Sequence, residues 1–177
     1  MQKQPEATTD VKGMYYSNQI ENIKIIWKIL PVDFMFIIKE HPNCIGDRSL
    51  AFYKEILKLK NVYLSDGKNF EKIIKNSKAT FSIASTASLK SSLMNIPSFT
   101  LTETFFNCLD FSLRISIEDI RNSKNFFTLL DEKLKKKKPS NHFFYLNNSF
   151  PGIINVNNIN DDKNLLNIRK AINELIS

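Results

Sequence analysis

Glycine is scarce in this chain, with four in 177 residues. Neither a GxGxxG fingerprint nor a Walker loop is present, which argues against dinucleotide binding and nucleoside-triphosphate hydrolysis. Cysteine is scarcer still. Cys44 and Cys108 stand alone, without a CxxC pair or paired histidines. That speaks against a zinc site or a disulfide scaffold and fits a reducing cytoplasm. No apolar stretch approaches the roughly 20 residues of a membrane span. The opening segment is polar and carries Glu6 and Asp10, unlike a signal peptide.

What the chain has in quantity is phenylalanine, lysine, isoleucine and asparagine. Its length suits one domain with a real core. The net charge is +7, part of it in the run Lys133, Lys135, Lys136, Lys137 and Lys138. These lysines are not interleaved with aromatic residues or set on a reading element, so no nucleic-acid partner is expected. A solvated helix end accounts for the run, with an anionic partner or membrane surface as the other reading.

The segment Phe34-Met35-Phe36-Ile37-Ile38-Lys39-Glu40-His41-Pro42 is the most informative. An apolar run stopped by polar residues and a proline reads as a strand, about Asp33 to Lys39, buried on both faces. Before it, Ile20, Ile23, Trp27 and Leu30 share one helical face, with Ser17 or Asn18 as cap and Pro31 as stop. After it, the pattern predicts a helix from about Arg48 to Lys60 and a strand at Asn61–Ser65. A turn at Asp66-Gly67 leads to a short helix around Phe70–Asn76. A strand at Ala79–Ala84 then leads through Ser85-Thr86-Ala87-Ser88 into a helix ending near Met94, with Asn95 as a left-handed cap. Strands at Ser98–Leu101 and Leu113–Ile115 and a helix from about Ser123 to Lys136 follow. Residues from Pro139 to Asn160 read as irregular, and a last helix spans about 161–176.

Alternating helices and strands with short connections predict parallel strands and right-handed crossovers. The expected fold is one α/β domain over residues 1–177. It is a Rossmann-like, mostly parallel sheet flanked by helices, with its core at about 18–135. Such a domain normally opens on a strand, whereas this one opens on a loop and a helix.

In open α/β sheets ligands bind beyond the carboxyl ends of the strands. Three segments fall there: Gln4-Pro5-Glu6-Ala7-Thr8-Thr9, Lys39-Glu40-His41-Pro42 and Ser85-Thr86-Ala87-Ser88. The last is a strand-to-helix turn of small hydroxyl residues, fit to hold a phosphate or simply to cap the helix. His41 suits phosphate contact, general acid catalysis toward a leaving group, or a hydrogen bond to its own loop. Lys39 and Glu40 read as a surface ion pair. Glu6 is either a base or ribose ligand, or a solvated side chain. His142 has no partners in the pattern, and no metal site is expected.

Taken together, Gln4-Pro5-Glu6-Ala7-Thr8-Thr9, Asn18-Gln19 heading a helix, Lys39-Glu40-His41-Pro42, Ser85-Thr86-Ala87 and Ile96-Pro97 resemble capsule and surface-polysaccharide biosynthesis proteins. These are similar to glycosyltransferases of the GT-B fold, and the resemblance covers roughly residues 2 to 110. It implies the C-terminal, donor-binding half of a GT-B fold, the N-terminal domain being absent. It implies a nucleotide-sugar donor, a CMP-sugar among the candidates, and a glycan acceptor. His41 with Pro42, and Ser85 with Thr86 and Ala87, would contact the nucleotide and its phosphate, beside Lys39 and Glu6. His41 would be the catalytic group. Where family members carry a glutamate near the start of the next helix, this chain has Lys90. The isolated chain is expected to be inactive, working with a partner chain that supplies the other half. The alternative is a non-catalytic interaction module or degenerate fragment that requires such a partner. Either would act in the cytoplasm or at the inner membrane's surface.

Overall fold

A computed structural model describes residues 1–137 and, beyond them, Leu166, Asn167, Arg169 and Lys170. The chain divides into two compact units, Met1–Ser140 and Asn141–Ser177. In the second, the four described residues are helical. His142, the asparagine-rich segment and the apolar positions of the expected last helix otherwise lie outside the described residues.

The first unit is α/β, and all its strand pairs are parallel. After two short helical turns at Thr8–Lys12 and Met14–Tyr16, helix α1 spans Gln19–Ile29. Asn18 caps it by accepting a hydrogen bond from the Glu21 N–H. Strand β1 (Phe36–Lys39), helix α2 (Leu50–Leu57), strand β2 (Val62–Ser65) and helix α3 (Phe70–Lys75) follow. Then come strand β3 (Thr80–Ser82), helix α4 (Thr86–Leu93) and strands β4 (Ser98–Thr100) and β5 (Ser112–Arg114). Helices α5 (Ile117–Asn122) and α6 (Phe126–Lys136) close the unit. This arrangement is compatible with the expected Rossmann-like architecture.

The strands form two small sheets rather than one. β1 pairs with β2, and β3, β4 and β5 pair in that order. The expectation that β1 is buried on both faces is therefore corrected. Only Ile38 is buried, whereas Ile37 is 39% exposed and Met35 69% exposed. Successive side chains point to opposite faces, and the face of Ile38 packs on Ile23 and Ile56 while that of Ile37 stays partly open.

The core gathers around β4. Phe99 is fully buried, stacked 4.8 Å from Phe81 and edge-on to Phe126 at 6.3 Å. Ile26 of α1, Leu113, Ile115, Ile120 and Leu129 belong to the same cluster. A second cluster joins Ile23 of α1 to Ile38, Ile56 and Val62.

Glycine's scarcity is met by asparagine. Asn61, Asn69 and Asn95 adopt left-handed backbone angles, with φ of 60°, 55° and 59°. Asparagine tolerates this region better than other residues with a side chain. Asn95 therefore takes the left-handed conformation expected of it.

The expected helix from about Ser123 to Lys136 is α6, and α5 before it is an additional helix that was not expected. Ser116 and Asp119 form a capping box that starts α5, and Asn125 caps α6 by accepting from the Thr128 N–H. Asp119 Oδ2 lies 2.6 Å from Lys133 Nζ and so ties the two helices together. Burial alone would raise the Asp119 pKa, but the hydrogen bonds from Lys133 and Ser116 outweigh it and hold it below its ordinary value.

Asp119→Asn is expected to cost about 1 kcal/mol at neutral pH, a modest figure because the side chain is a third exposed. The folded-state pKa is depressed, so this contribution is complete above the unfolded carboxylate's range. It is lost as pH falls through the lower folded value. Urea unfolding of both proteins down a pH series should show their stabilities converging at the acid end.

Candidate functional site

The carboxyl ends of β1 and β3 open onto one cavity of about 1110 Å³. Lys39, His41, Pro42, Ser85, Thr86 and Ala87 all line it. Of the expected site residues, Glu6 alone is not brought there. It is exposed, its N–H donates to Asp10 Oδ2 (2.6 Å), and its carbonyl accepts from the Thr9 and Asp10 N–H groups.

His41 lies two residues beyond β1 and caps the helical turn Pro42–Cys44. Its Nδ1 accepts a hydrogen bond from the Asn43 N–H at 3.2 Å. A neutral ring that accepts at Nδ1 carries its proton on Nε2. The loop hydrogen bond thus fixes the tautomer and leaves Nε2–H as a donor.

Ser85 ends the segment after β3 and caps α4. Its Oγ accepts from the Ala87 N–H at 3.1 Å, while its own proton stays available. Capping and ligand contact are therefore compatible at this residue. Thr86 is exposed at the first turn of α4, where N–H groups and the helix dipole favour an anion. Ser88 also borders the cavity, but its hydroxyl is engaged. It is buried, with its Oγ 2.6 Å from Ser82 Oγ.

Lys39 and Glu40 do not form the expected side-chain ion pair. The Lys39 ammonium donates to the Glu40 carbonyl at 3.2 Å and lies 5.0 Å from the Phe70 ring centroid. Gly67 makes room for this side chain: its φ is +80°, and a Cβ there would stand 2.9 Å from Lys39 Cε. The Glu40 carboxylate turns inward instead. It accepts from the His41 N–H (2.8 Å), Arg48 Nε (2.8 Å) and the Tyr53 hydroxyl (2.9 Å). Arg48 also donates to the Gln2 carbonyl at 2.7 Å and stacks on Phe52. Sequence reasoning missed this network, because Arg48 and Tyr53 both fall in what reads as an ordinary amphipathic helix. Burial and the bond to Glu40 both raise the Tyr53 pKa.

The cavity's charge is mostly positive. Lys39, Lys72, Lys78 and Lys90 line it, against Asp33 as its acidic residue. Lys90 forms an ion pair with Glu71. The buried Met1 amine donates to the Lys39 carbonyl, and burial pushes its pKa down to about 6. Among the described residues no group of three or more His, Cys, Asp or Glu side chains converges to hold a metal ion. Nor is any helix among them long and apolar enough to cross a membrane.

The Glu40 and Arg48 side chains are 10% and 13% exposed, so removing one partner strands a nearly buried charge. Glu40→Ala should destabilise the chain by about 3 kcal/mol. The measurement is the urea midpoint, and a change below about 0.5 kcal/mol would reduce the network to surface decoration. No protein-family model, no curated protein and no solved structure matches the chain, so the chemistry of this site rests on its own residues.

Proposed function

We propose that the first unit binds a nucleotide sugar at the mouth between β1 and β3, as the donor half of a glycosyltransferase of surface-polysaccharide synthesis. One observation carries the reading. A proton-bearing imidazole nitrogen of fixed tautomer and the exposed hydroxyl and N–H groups at the start of α4 line one lysine-rich cavity. A phosphorylated ligand is the chemistry that such donors suit.

Glycosyl transfer would form a bond from an acceptor oxygen to the anomeric carbon and break the bond from that carbon to the phosphate oxygen. The electron pair of the broken bond stays with the phosphate. His41 Nε2–H, Thr86 and Lys39 would meet that developing charge, and donors aimed at a leaving group lower the barrier. The acceptor proton leaves to a base outside the described site. On this reading catalysis requires a glycan acceptor, held by a second domain or by a partner chain. A cytoplasmic setting, at the inner membrane's surface, follows from the donor and is consistent with the free thiols of Cys44 and Cys108.

Titration calorimetry with CMP-, UDP- and GDP-sugars tests the reading. His41→Ala and Thr86→Ala should each weaken binding about tenfold or more, since each removes a hydrogen bond to a charged group. A folded chain that binds none of these donors, or variants that bind as the parent does, would refute it.

A further inference from the structure

Helix α4 meets the sheet through hydroxyls rather than apolar side chains. Ser88, Ser91 and Ser92 are its buried residues, and among the described residues neither apolar cluster includes a residue of α4. The strands present the same chemistry. In a parallel pair, residues in register carry their side chains on one face. Thr80, Ser98 and Ser112 are in register across β3, β4 and β5, and so are Ser82 and Thr100 across β3 and β4. Phe81, Phe99 and Leu113 alternate with them and take the apolar face. Ser82 Oγ lies 2.6 Å from Ser88 Oγ, so the hydroxyl face is the one under α4.

Most of these hydroxyls are paired. Thr100 and Ser112 accept from Asn107 Nδ2 at 3.0 and 2.9 Å. Ser91 donates to the Ile96 carbonyl at 3.2 Å, and Ser92 to the Ser88 carbonyl at 3.0 Å. Among the described residues, the buried side-chain nitrogen and oxygen atoms without a hydrogen-bond partner are Thr80 Oγ1 and Ser98 Oγ. Ser98 is wholly inaccessible. Burying a hydroxyl unpaired is unfavourable, and folded proteins seldom leave one so.

These two hydroxyls stand side by side, because Thr80 and Ser98 are register partners. Two hydroxyls that share one tetrahedral water lie about 4.6 Å apart, close to the roughly 4.8 Å between neighbouring strands. Ser91 and Ser92 reach the same level. From the Ser82–Ser88 contact, α4 runs back about 5 Å to them, while β3 runs back roughly 7 Å to Thr80. Thr80 and Ser98 each have a proton to give. Ser91 and Ser92 have given theirs to carbonyls and keep oxygen lone pairs.

We infer that one internal water sits under α4, accepting from the Thr80 and Ser98 hydroxyls and donating to the Ser91 and Ser92 oxygens. Four partners complete its tetrahedron, and buried waters make about three such bonds on average. Thr80 also borders the cavity of about 1110 Å³, which gives water a way in. The water seats the helix whose first turn carries Thr86. The inference stands whether or not the mouth binds a nucleotide sugar.

A crystal structure of the full chain tests it. Density for a water about 2.8 Å from both Thr80 Oγ1 and Ser98 Oγ is expected. Hydroxyls bonded to each other or to main-chain carbonyls, with no water between them, would overturn the inference. Urea unfolding tests it in solution. Ser98→Ala removes one of the water's bonds and should lower the folding equilibrium constant about fivefold. An unchanged or raised constant would overturn the inference, because deleting a hydroxyl that has no partner relieves the cost of burying it. Thr80→Val should lower the constant as well. The double variant should lower it by less than the product of the two factors, since one water serves both hydroxyls. A full product would mean separate partners and would overturn the shared water.

Discussion

Burial of the Glu40 carboxylate is the constraint from which the site's geometry follows. A carboxylate taken from water needs several donors, and Glu40 finds them in three different segments. Arg48 comes from the residues before α2, Tyr53 from α2 itself, and the His41 N–H from the corner after β1. Arg48 then passes the constraint to the amino terminus through the Gln2 carbonyl. The direction in which His41 leaves β1 is thus set by a charge that His41's own side chain never touches. A polar network of this kind specifies one arrangement because leaving any member unpaired is costly.

Much of the fold was legible because it depends on local signals. Apolar periodicity identified α1, and the β-rich run from Ala79 to Ala84 contains β3. Asn95 before Ile96-Pro97 marked a left-handed stop. Helix α5 was legible in principle as well, since Ser116-Ile117-Glu118-Asp119 is a capping-box pattern, but its six residues are too few to show a helical period. The partial exposure of β1 was not legible. A continuous apolar run reads as doubly buried, and which elements come to cover each face is a long-range fact that no local pattern encodes.

The site divides the same way. The positions of His41, Ser85 and Thr86 follow from strand ends, so sequence order alone brought them near one another. Their chemical states do not. That His41 accepts at Nδ1, that Ser85 spends its lone pair on a cap, and that Ser88 turns inward to Ser82 are outcomes of geometry. Glu6 failed to join them because the main chain around it folds onto Asp10. The Lys39–Glu40 pair failed because adjacent residues on a strand point to opposite sides, one toward Phe70 and the other toward Arg48.

The candidate ligand mouth and the space between β1 and β3 are parts of one cavity, so its width depends on what holds the two strands apart. His41 stands at the end of β1 and Thr86 just beyond β3, yet no ladder hydrogen bond joins β1 to β3. Their separation is held by α1 packing on both clusters and by the Met1 and Gln2 bonds at the mouth. Side-chain packing and a few hydrogen bonds yield more easily than a continuous ladder.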